Sequence, residues 1–205
     1  MYWLNVLDLF SGLKGWSQAF EDRGHTVVTV DIDEKFNPTI CQDIMTLETM
    51  DFRRFEYFDI ILASPPCNCF SVASIGKHWK NGKPDEETRN AIRLVSHTLG
   101  LILELLPRWW ILENPRGMLR RVLGKPCITT YFASWGEMNL KPTDLWGVLP
   151  ENVQWARPMK WQKASRGSRT GTQGKKNAEL RAKIPYGLSM AICMTCEKEL
   201  NEKSS

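Results

Sequence analysis

The sequence lacks several features that would assign it to particular classes of protein. It has only three histidines in 205 residues, and no apolar run approaches the length of a membrane span, so no membrane partner is expected. Residues 1–5 show no basic region ahead of an apolar stretch, so we expect no signal peptide. The six cysteines are irregularly spaced in a chain too large to need disulfides, which favours a reduced, cytoplasmic setting.

Metal ligands are also scarce. Cys193 and Cys196 form one CxxC pair, but no second cysteine pair or histidine pair offers the other half of a zinc site. We therefore interpret the pair as two residues of one helix face and predict no metal.

The charge is unevenly distributed. The net charge is +4, yet nine lysines and arginines accompany a single glutamate between Ala156 and Lys183. Basic residues mixed with glycines and hydroxyls fit phosphate contacts with nucleic acid, and a solvated loop is the alternative. The chain suits one domain, predicted over 1–140 and 178–205, with 141–177 as a small basic segment.

Strands and helices alternate through most of the chain. Residues 3–10 read as a strand, 11–15 as a glycine turn and 16–23 as a short helix; a second strand covers 26–30 and a long helix is expected from Asp85. This alternation predicts an α/β fold with a doubly wound, mostly parallel sheet of the Rossmann-like type. The glycine turn is not GxGxxG, so alone it is a weak sign of nucleotide binding.

Cys67 follows an abrupt strand end. The apolar run 58–63 predicts a buried strand, and Pro65 and Pro66 then enforce a rigid, extended turn. Ligands of open parallel sheets bind beyond the carboxyl ends of the strands, so this thiol is placed for chemistry. The alternative is a small buried hydrophobic residue, the commonest state of cysteine.

Two carboxylates, Asp31 and Glu113, end predicted strands, and a third, Asp43, lies in a segment with little periodicity. Asp31 is placed either to accept from two ribose hydroxyls or to cap a turn. Asp43 could accept from an adenine amino group or cap a helix beginning near Leu47. Glu113 ends the strand that starts at Trp109, so we expect it near Cys67 on the same sheet edge; a loop carboxylate is the alternative.

The polar segment 74–84 contains glycines and lysines, and its composition predicts a mobile loop. It carries His78 and Trp79, which we interpret either as residues of a closing lid or as exposed side chains.

Together these segments resemble the DNA (cytosine-5)-methyltransferase family. Asp8-Leu9-Phe10-Ser11-Gly12 with Gly15 is similar to its loop for S-adenosyl-L-methionine (AdoMet), residues 65–71 to its nucleophile motif, and Glu113-Asn114 to its acid motif. The order and spacing are right for the family. The resemblance implies an AdoMet-dependent methyltransferase fold and methylation of cytosine C5 in double-stranded DNA, with the target base flipped out of the helix.

The resemblance also implies roles for individual residues. Cys67 would be the nucleophile and Glu113 its partner carboxyl. Phe10 would contact the cofactor, Asp31 the ribose and Asp43 the adenine amino group. The full set of implied cofactor contacts is Asp8, Phe10, Ser11, Gly12, Gly15, Asp31, Ile32, Asp43, Ile44 and Pro65.

The chain departs from the family pattern in two motifs. Pro115 stands where the family usually has valine, and the motif Gln-x-Arg-x-Arg is missing, so Arg166 and Arg169 are the nearest substitutes. The chain has room for only a small target-recognition region. It resembles the compact enzymes that phages carry, which implies the cytoplasm of a bacterial or phage-infected cell.

Three other interpretations stay open. Amino-group methyltransferases also use Ser-Pro-Pro, but they carry an aromatic residue where this chain has Cys67. A methyltransferase-like module could bind DNA or AdoMet without turnover. The same chemistry could also act on RNA or a free nucleotide; the basic segment disfavours the free nucleotide.

Overall fold

The computed structural model describes residues 3–137, 140–156 and 178–203. These residues form a seven-stranded sheet and a separate two-stranded hairpin. In chain order the strands are β1 (Asn5–Leu9), β2 (Thr26–Asp31), β3 (Ile40–Cys41), β4 (Ile60–Ala63), β5 (Trp79–Lys80), β6 (Lys83–Pro84), β7 (Trp109–Pro115), β8 (Ile128–Tyr131) and β9 (Pro142–Val148).

In the described residues, six α-helices accompany these strands. They are α1 (Gln18–Asp22), α2 (Ile75–His78), α3 (Glu86–Leu105), α4 (Arg120–Leu123), α5 (Ala178–Ala182) and α6 (Tyr186–Lys203). Helices α3 and α6 are long, and α5 and α6 follow the last strand. Turns of 3-10 helix lie at Glu34–Phe36, Ile44–Thr46, Thr49–Phe52, Val72–Ser74 and Phe132–Trp135. No described helix combines the length and the apolar character needed to cross a bilayer.

The strand order in the sheet is β3-β2-β1-β4-β7-β9-β8. The first five strands in this order pair in parallel, and β9 runs antiparallel to both β7 and β8. The order reverses between β1 and β4, which is the topological switch point where open α/β sheets bind ligands. The predicted doubly wound, mostly parallel sheet is confirmed.

The sheet is covered on both faces because side chains alternate along each strand. Val6, Ile60 and Ile111 belong to a core cluster with residues of α1 and α6. Leu7 and Ile61 point the other way, into a cluster that contains residues of α3. This double burial explains why the central strands are continuous apolar runs.

β9 lies inside the segment 141–177 that composition separates from the rest of the chain. Six of its residues, 143–148, pair with β7 on one side, and four, 142–145, pair with β8 on the other, so the sheet continues to Val148. Residues 157–177, which include seven of the nine lysines and arginines between Ala156 and Lys183, lie outside the described residues.

Segment 74–84 forms α2 and the β5–β6 hairpin, and His78 and Trp79 are both buried. His78 Nδ1 lies 2.9 Å from Asp85 Oδ2, and Trp79 Nε1 donates to the Cys69 carbonyl oxygen at 2.8 Å. The expectation that they are exposed is therefore wrong, because hydrogen bonds and core packing hold both rings inward.

Candidate active site

A cavity of about 420 Å³ opens beyond the carboxyl ends of β1 and β2. Nine of the ten implied cofactor contacts line it; Pro65 does not, but its neighbour Pro66 does. The lining residues from the implied set are Asp8, Phe10, Ser11, Gly12, Gly15, Asp31, Ile32, Asp43 and Ile44. The topology thus brings together residues that are up to 36 positions apart, from Asp8 to Ile44.

Asp8 is the buried acid of this cavity. Its side chain is 1% exposed, and burial raises its pKa from 3.8 to about 7. Asp8 Oδ2 and Ser11 Oγ have no hydrogen-bond partner among the described residues. Buried polar atoms are usually satisfied, so these two atoms favour a ligand that supplies polar groups.

Asp31 shapes the glycine turn. Its Oδ2 accepts from the Gly12 amide at 2.8 Å, and its Oδ1 accepts from the Asp33 amide at 3.0 Å. The loop needs this support because Phe10 and Gly12 have φ values of 61° and 46°, in the left-handed region. The turn-capping interpretation is therefore confirmed, and the carboxylate still has lone pairs for ribose hydroxyls.

Asp43 caps a turn of 3-10 helix, with Oδ1 accepting from the Met45 amide at 3.0 Å. The helix predicted near Leu47 is absent there; two short 3-10 turns flank that residue instead. Asp43 itself is exposed at the cavity rim, while the adjacent Ile44 is buried.

Part of the cavity wall comes from Ala182, Lys183 and Ile184, which belong to the segment 178–205 that the sequence analysis assigned to the same domain as residues 1–140. Gly15 packs so closely on Ile184 that a Cβ would overlap its backbone nitrogen. Trp16 Nε1 donates to Ser64 Oγ at 2.9 Å, and Ser189 Oγ donates to the Trp16 carbonyl. These contacts join the glycine turn to β4 and α6.

Cys67 and Glu113 both lie at the carboxyl edge of the sheet, as predicted. Ala63 of β4 pairs with Leu112 of β7, and the two residues follow that pair on neighbouring strands. Asn114 Nδ2 donates to the Pro65 carbonyl oxygen at 2.9 Å, which joins the two strand ends. Cys67 is half-buried.

Glu113 is 3% exposed, and its Oε1 accepts a hydrogen bond from Thr143 Oγ1. Thr143 lies on β9 and is fully buried. The sequence analysis missed this residue because a threonine in a strand is an ordinary occurrence, and only the antiparallel pairing of β7 and β9 brings it to the carboxylate.

The substitutes for the missing arginine motif, Arg166 and Arg169, lie outside the described residues. A different cation, Lys141, immediately precedes β9 at this edge and is 9% exposed. Its Nζ lies 4.1 Å from the centroid of the Phe132 ring, and no described carboxylate forms an ion pair with it.

Within the part of the chain that the structure describes, two clusters contain metal-ligating side chains. In one, His25 and Cys193 lie beside Glu197, but Arg23 already holds that carboxylate through two bonds of 2.7 and 2.6 Å. The other consists of Cys69, His78 and Glu87. Here His78 is bonded to Asp85, the N-cap of α3, so the cluster is explained by helix capping.

Comparisons with known proteins identify the family of this chain. A family model described as C-5 cytosine-specific DNA methylase matches residues 4–134. The chain is 32% identical over 166 residues to a "Probable DNA (cytosine-5)-methyltransferase" of Frog virus 3, which covers 72% of this chain and 74% of the relative. It is also 32% identical over 128 residues to "Type II methyltransferase M.XorII" of Xanthomonas oryzae, covering 55% of this chain and only 28% of that protein.

A solved structure shares the fold. The Entamoeba histolytica methyltransferase EhMeth superposes with a TM-score of 0.55 at 14% identity, over 78% of this chain and 58% of that one. The chain therefore spans between about a quarter and three quarters of the length of these relatives.

Proposed function

Because the chain belongs to the C-5 cytosine-specific DNA methylase family, we propose that it transfers a methyl group from AdoMet to C5 of cytosine in DNA. The main support for this proposal is the Asn114–Pro65 hydrogen bond, which joins the ends of β4 and β7. That bond holds a half-buried thiol and a buried carboxyl at one edge of the sheet, beside the cavity that contains Asp8.

The cavity fits the cofactor. AdoMet, when bound, supplies an electrophilic methyl group on a sulfonium centre. Asp8 Oδ2 and Ser11 Oγ would accept or donate hydrogen bonds that the fold leaves unmade. Asp31 would accept from the ribose hydroxyls, and Asp43 at the rim would accept from the adenine amino group.

The chemistry requires both Cys67 and Glu113. Cytosine C5 is too weak a nucleophile to be methylated directly, so the Cys67 thiolate adds to C6 and makes C5 enamine-like. Glu113, hydrogen-bonded at N3, stabilises the charge that develops on the ring. After the methyl group has been transferred to C5, water takes the C5 proton, and the electrons of the broken C5–H bond re-form the C5–C6 double bond and expel the Cys67 thiolate.

The target cytosine has to leave the base stack to reach this edge, because C5 and C6 are inaccessible to a thiol inside a duplex. Glu113 is 3% exposed, so a base that contacts it enters a recess. An extruded base is consistent with such a recess.

The test uses the full chain, radiolabelled AdoMet and mixed-sequence duplex DNA, followed by nucleoside chromatography. We expect label in 5-methylcytosine from the wild-type protein, none from Cys67→Ala, and wild-type yield from Cys127→Ala, whose cysteine is exposed on another part of the sheet.

The other interpretations give different results in the same assay. Label in N4-methylcytosine or N6-methyladenine would overturn the proposal in favour of an amino-group methyltransferase. No label in DNA, with AdoMet binding intact, would indicate a binding module or an RNA enzyme. Parallel samples with RNA distinguish these last two.

A further inference from the structure

A turn of 3-10 helix lies at the rim of the cavity, between its caps Asp43 and Leu47. We call residues 43–47 the rim turn. Two of its residues, Asp43 and Ile44, line the cavity. The Thr46 amide donates to the Asp43 carbonyl oxygen at 3.0 Å. The Leu47 amide donates to the Ile44 carbonyl oxygen at 3.2 Å. These bonds make the rim turn a small closed unit, so its orientation decides where the Asp43 carboxylate lies.

The first end of the rim turn is bonded to the sheet. The Gln42 amide, just before the turn, donates to the Asp31 carbonyl oxygen at 3.0 Å. Asp31 ends β2 and is the residue proposed to bind the ribose. This bond therefore ties the start of the rim turn to the strand end that carries the ribose contact.

His97 bonds the other end of the rim turn to α3. Its Nε2 lies 3.0 Å from the Leu47 carbonyl oxygen, and the two residues are 50 positions apart in the chain. A carbonyl oxygen only accepts, so the imidazole carries a proton on Nε2. In the part of the chain that the structure describes, this is the one hydrogen bond between α3 and the rim turn. One turn earlier on α3, Leu94 lines the cavity itself.

Apolar packing also joins the rim turn to α3. Ile44 and Leu47 share a core cluster with Leu101 and Ile102 of that helix. Burial of apolar surface is non-directional, so it holds the turn against the helix without setting its angle. A hydrogen bond depends on direction as well as distance. His97 therefore supplies the directional restraint at this end of the rim turn.

We propose that His97 is a positioning residue for AdoMet: by holding the rim turn, it aims the Asp43 carboxylate at the adenine amino group and so sets the preference for adenine. The inference rests on the proposed function, in which Asp43 accepts from that amino group. His97 is not among the described residues that line the cavity, so it acts through the rim turn and not by contact. A carboxylate accepts from an amino group but has no donor for a carbonyl oxygen in the same place.

The experiment measures binding by calorimetry with two ligands. One is S-adenosyl-L-homocysteine, and the other is its inosine analogue, in which a carbonyl oxygen replaces the adenine amino group. The test variant is His97→Leu, which keeps apolar bulk but has no donor, whereas His97→Gln keeps an N–H donor. Ser96→Ala, at the neighbouring exposed position of α3, is the matched control.

We expect the wild-type protein to bind the adenine ligand about tenfold more tightly than the inosine analogue, because the analogue replaces a hydrogen bond to a charged group by two facing acceptors. In His97→Leu this ratio should fall to within about threefold, since a misdirected carboxylate no longer makes that bond. His97→Gln and Ser96→Ala should keep the wild-type ratio. A purely structural loss would weaken both ligands equally and leave the ratio unchanged.

A second variant tests whether His97 acts through Asp43. Asp43→Ala removes the carboxylate, so the ratio should fall as it does in His97→Leu. Adding His97→Leu to Asp43→Ala should then lower the ratio no further, because residues that act through one interaction are not additive. A further fall in the double variant would show that His97 acts elsewhere and would overturn the inference.

Thermal melting checks that each variant is folded, and His97→Met is a second variant without a donor if the leucine variant melts below the assay temperature. An unchanged ratio in the folded variant would overturn the inference, as would a wild-type protein that binds both ligands equally. The readout does not depend on methyl transfer. A wild-type protein that binds neither ligand would refute the proposed function, whereas a preference for adenine that His97→Leu retains would refute only this inference.

Discussion

Asn114 Nδ2 donates a hydrogen bond to the Pro65 carbonyl oxygen across 2.9 Å, between residues 49 positions apart in the chain. Asn114 is fully buried. It follows Glu113 directly, and Pro65 precedes Cys67 by two residues, so this bond links the two chain segments that carry the groups proposed to react with cytosine.

Replacing Asn114 with alanine should lower kcat about 100-fold, because displacing a catalytic group by about 1 Å has a cost of that order. Losing the hydrogen bond itself should reduce the free energy of unfolding by only about 1 kcal/mol. Steady-state kinetics and urea unfolding measure both effects. Asn152→Ala, at an exposed position, is the control. A variant with wild-type kcat would show that Asn114 does not position the turn.

Thr143 is expected to position Glu113. Thr143→Val keeps the shape of the side chain but removes the hydroxyl that donates to Glu113 Oε1. We expect kcat to fall roughly 10-fold or more with little change in KM. The lost hydrogen bond contributes about 1 kcal/mol or more to holding Glu113 in its reactive orientation. Thr143→Ser keeps the hydroxyl and should stay near wild type. Equal losses in the valine and serine variants would indicate packing rather than orientation.

Gly15 should not accept a side chain. In Gly15→Ala the new Cβ would overlap the Ile184 backbone, so the cavity wall has to move. We expect weaker AdoMet binding in calorimetry and a loss of about 1–3 kcal/mol in the free energy of unfolding. Gly100→Ala on α3, where a Cβ meets nothing within 4 Å, is the control and should be neutral or stabilising. Unchanged AdoMet affinity in Gly15→Ala would argue against this wall of the site.

Asp8 makes stability depend on pH. Its pKa is raised from 3.8 to about 7 by burial, so the folded state favours the neutral carboxyl. The contribution of Asp8 is fully present below pH 3.8 and is lost as the pH rises through about 7. Asp8→Asn should therefore gain stability relative to wild type from pH 4 to 8, by up to about 4 kcal/mol. Chemical unfolding at several pH values measures the difference; a difference independent of pH would contradict the raised pKa.

The covalent step can be trapped with duplex DNA that contains 5-fluorocytosine. Fluorine replaces the C5 proton whose loss would expel Cys67, so the Cys67–C6 bond should persist after methyl transfer. We expect a protein–DNA adduct that survives denaturing electrophoresis, requires AdoMet and maps to Cys67. Cys67→Ala should form none. An adduct at Cys69 instead would show that Cys69, and not Cys67, is the nucleophile.

The sequence by itself determined the order of the strands, turns and candidate catalytic residues along the chain. The apolar runs before residue 64 and before Glu113, the glycine turn and the prolines are local patterns with local causes. They predicted the doubly wound sheet and the placement of Cys67 and Glu113 at its carboxyl edge, because parallel strands share that edge. The family resemblance that these segments carry implied nine of the residues that line the cavity beside β1 and β2.

Only the tertiary structure decided which distant residues support the site. Thr143 reaches Glu113 because β9 inserts antiparallel between β7 and β8, and Ile184 closes the cavity because Gly15 admits its backbone. His78 and Trp79 are buried for a similar reason, since Asp85 and the Cys69 carbonyl hold them inward. Composition describes residues one at a time, whereas these contacts depend on pairing and burial between segments far apart in the chain.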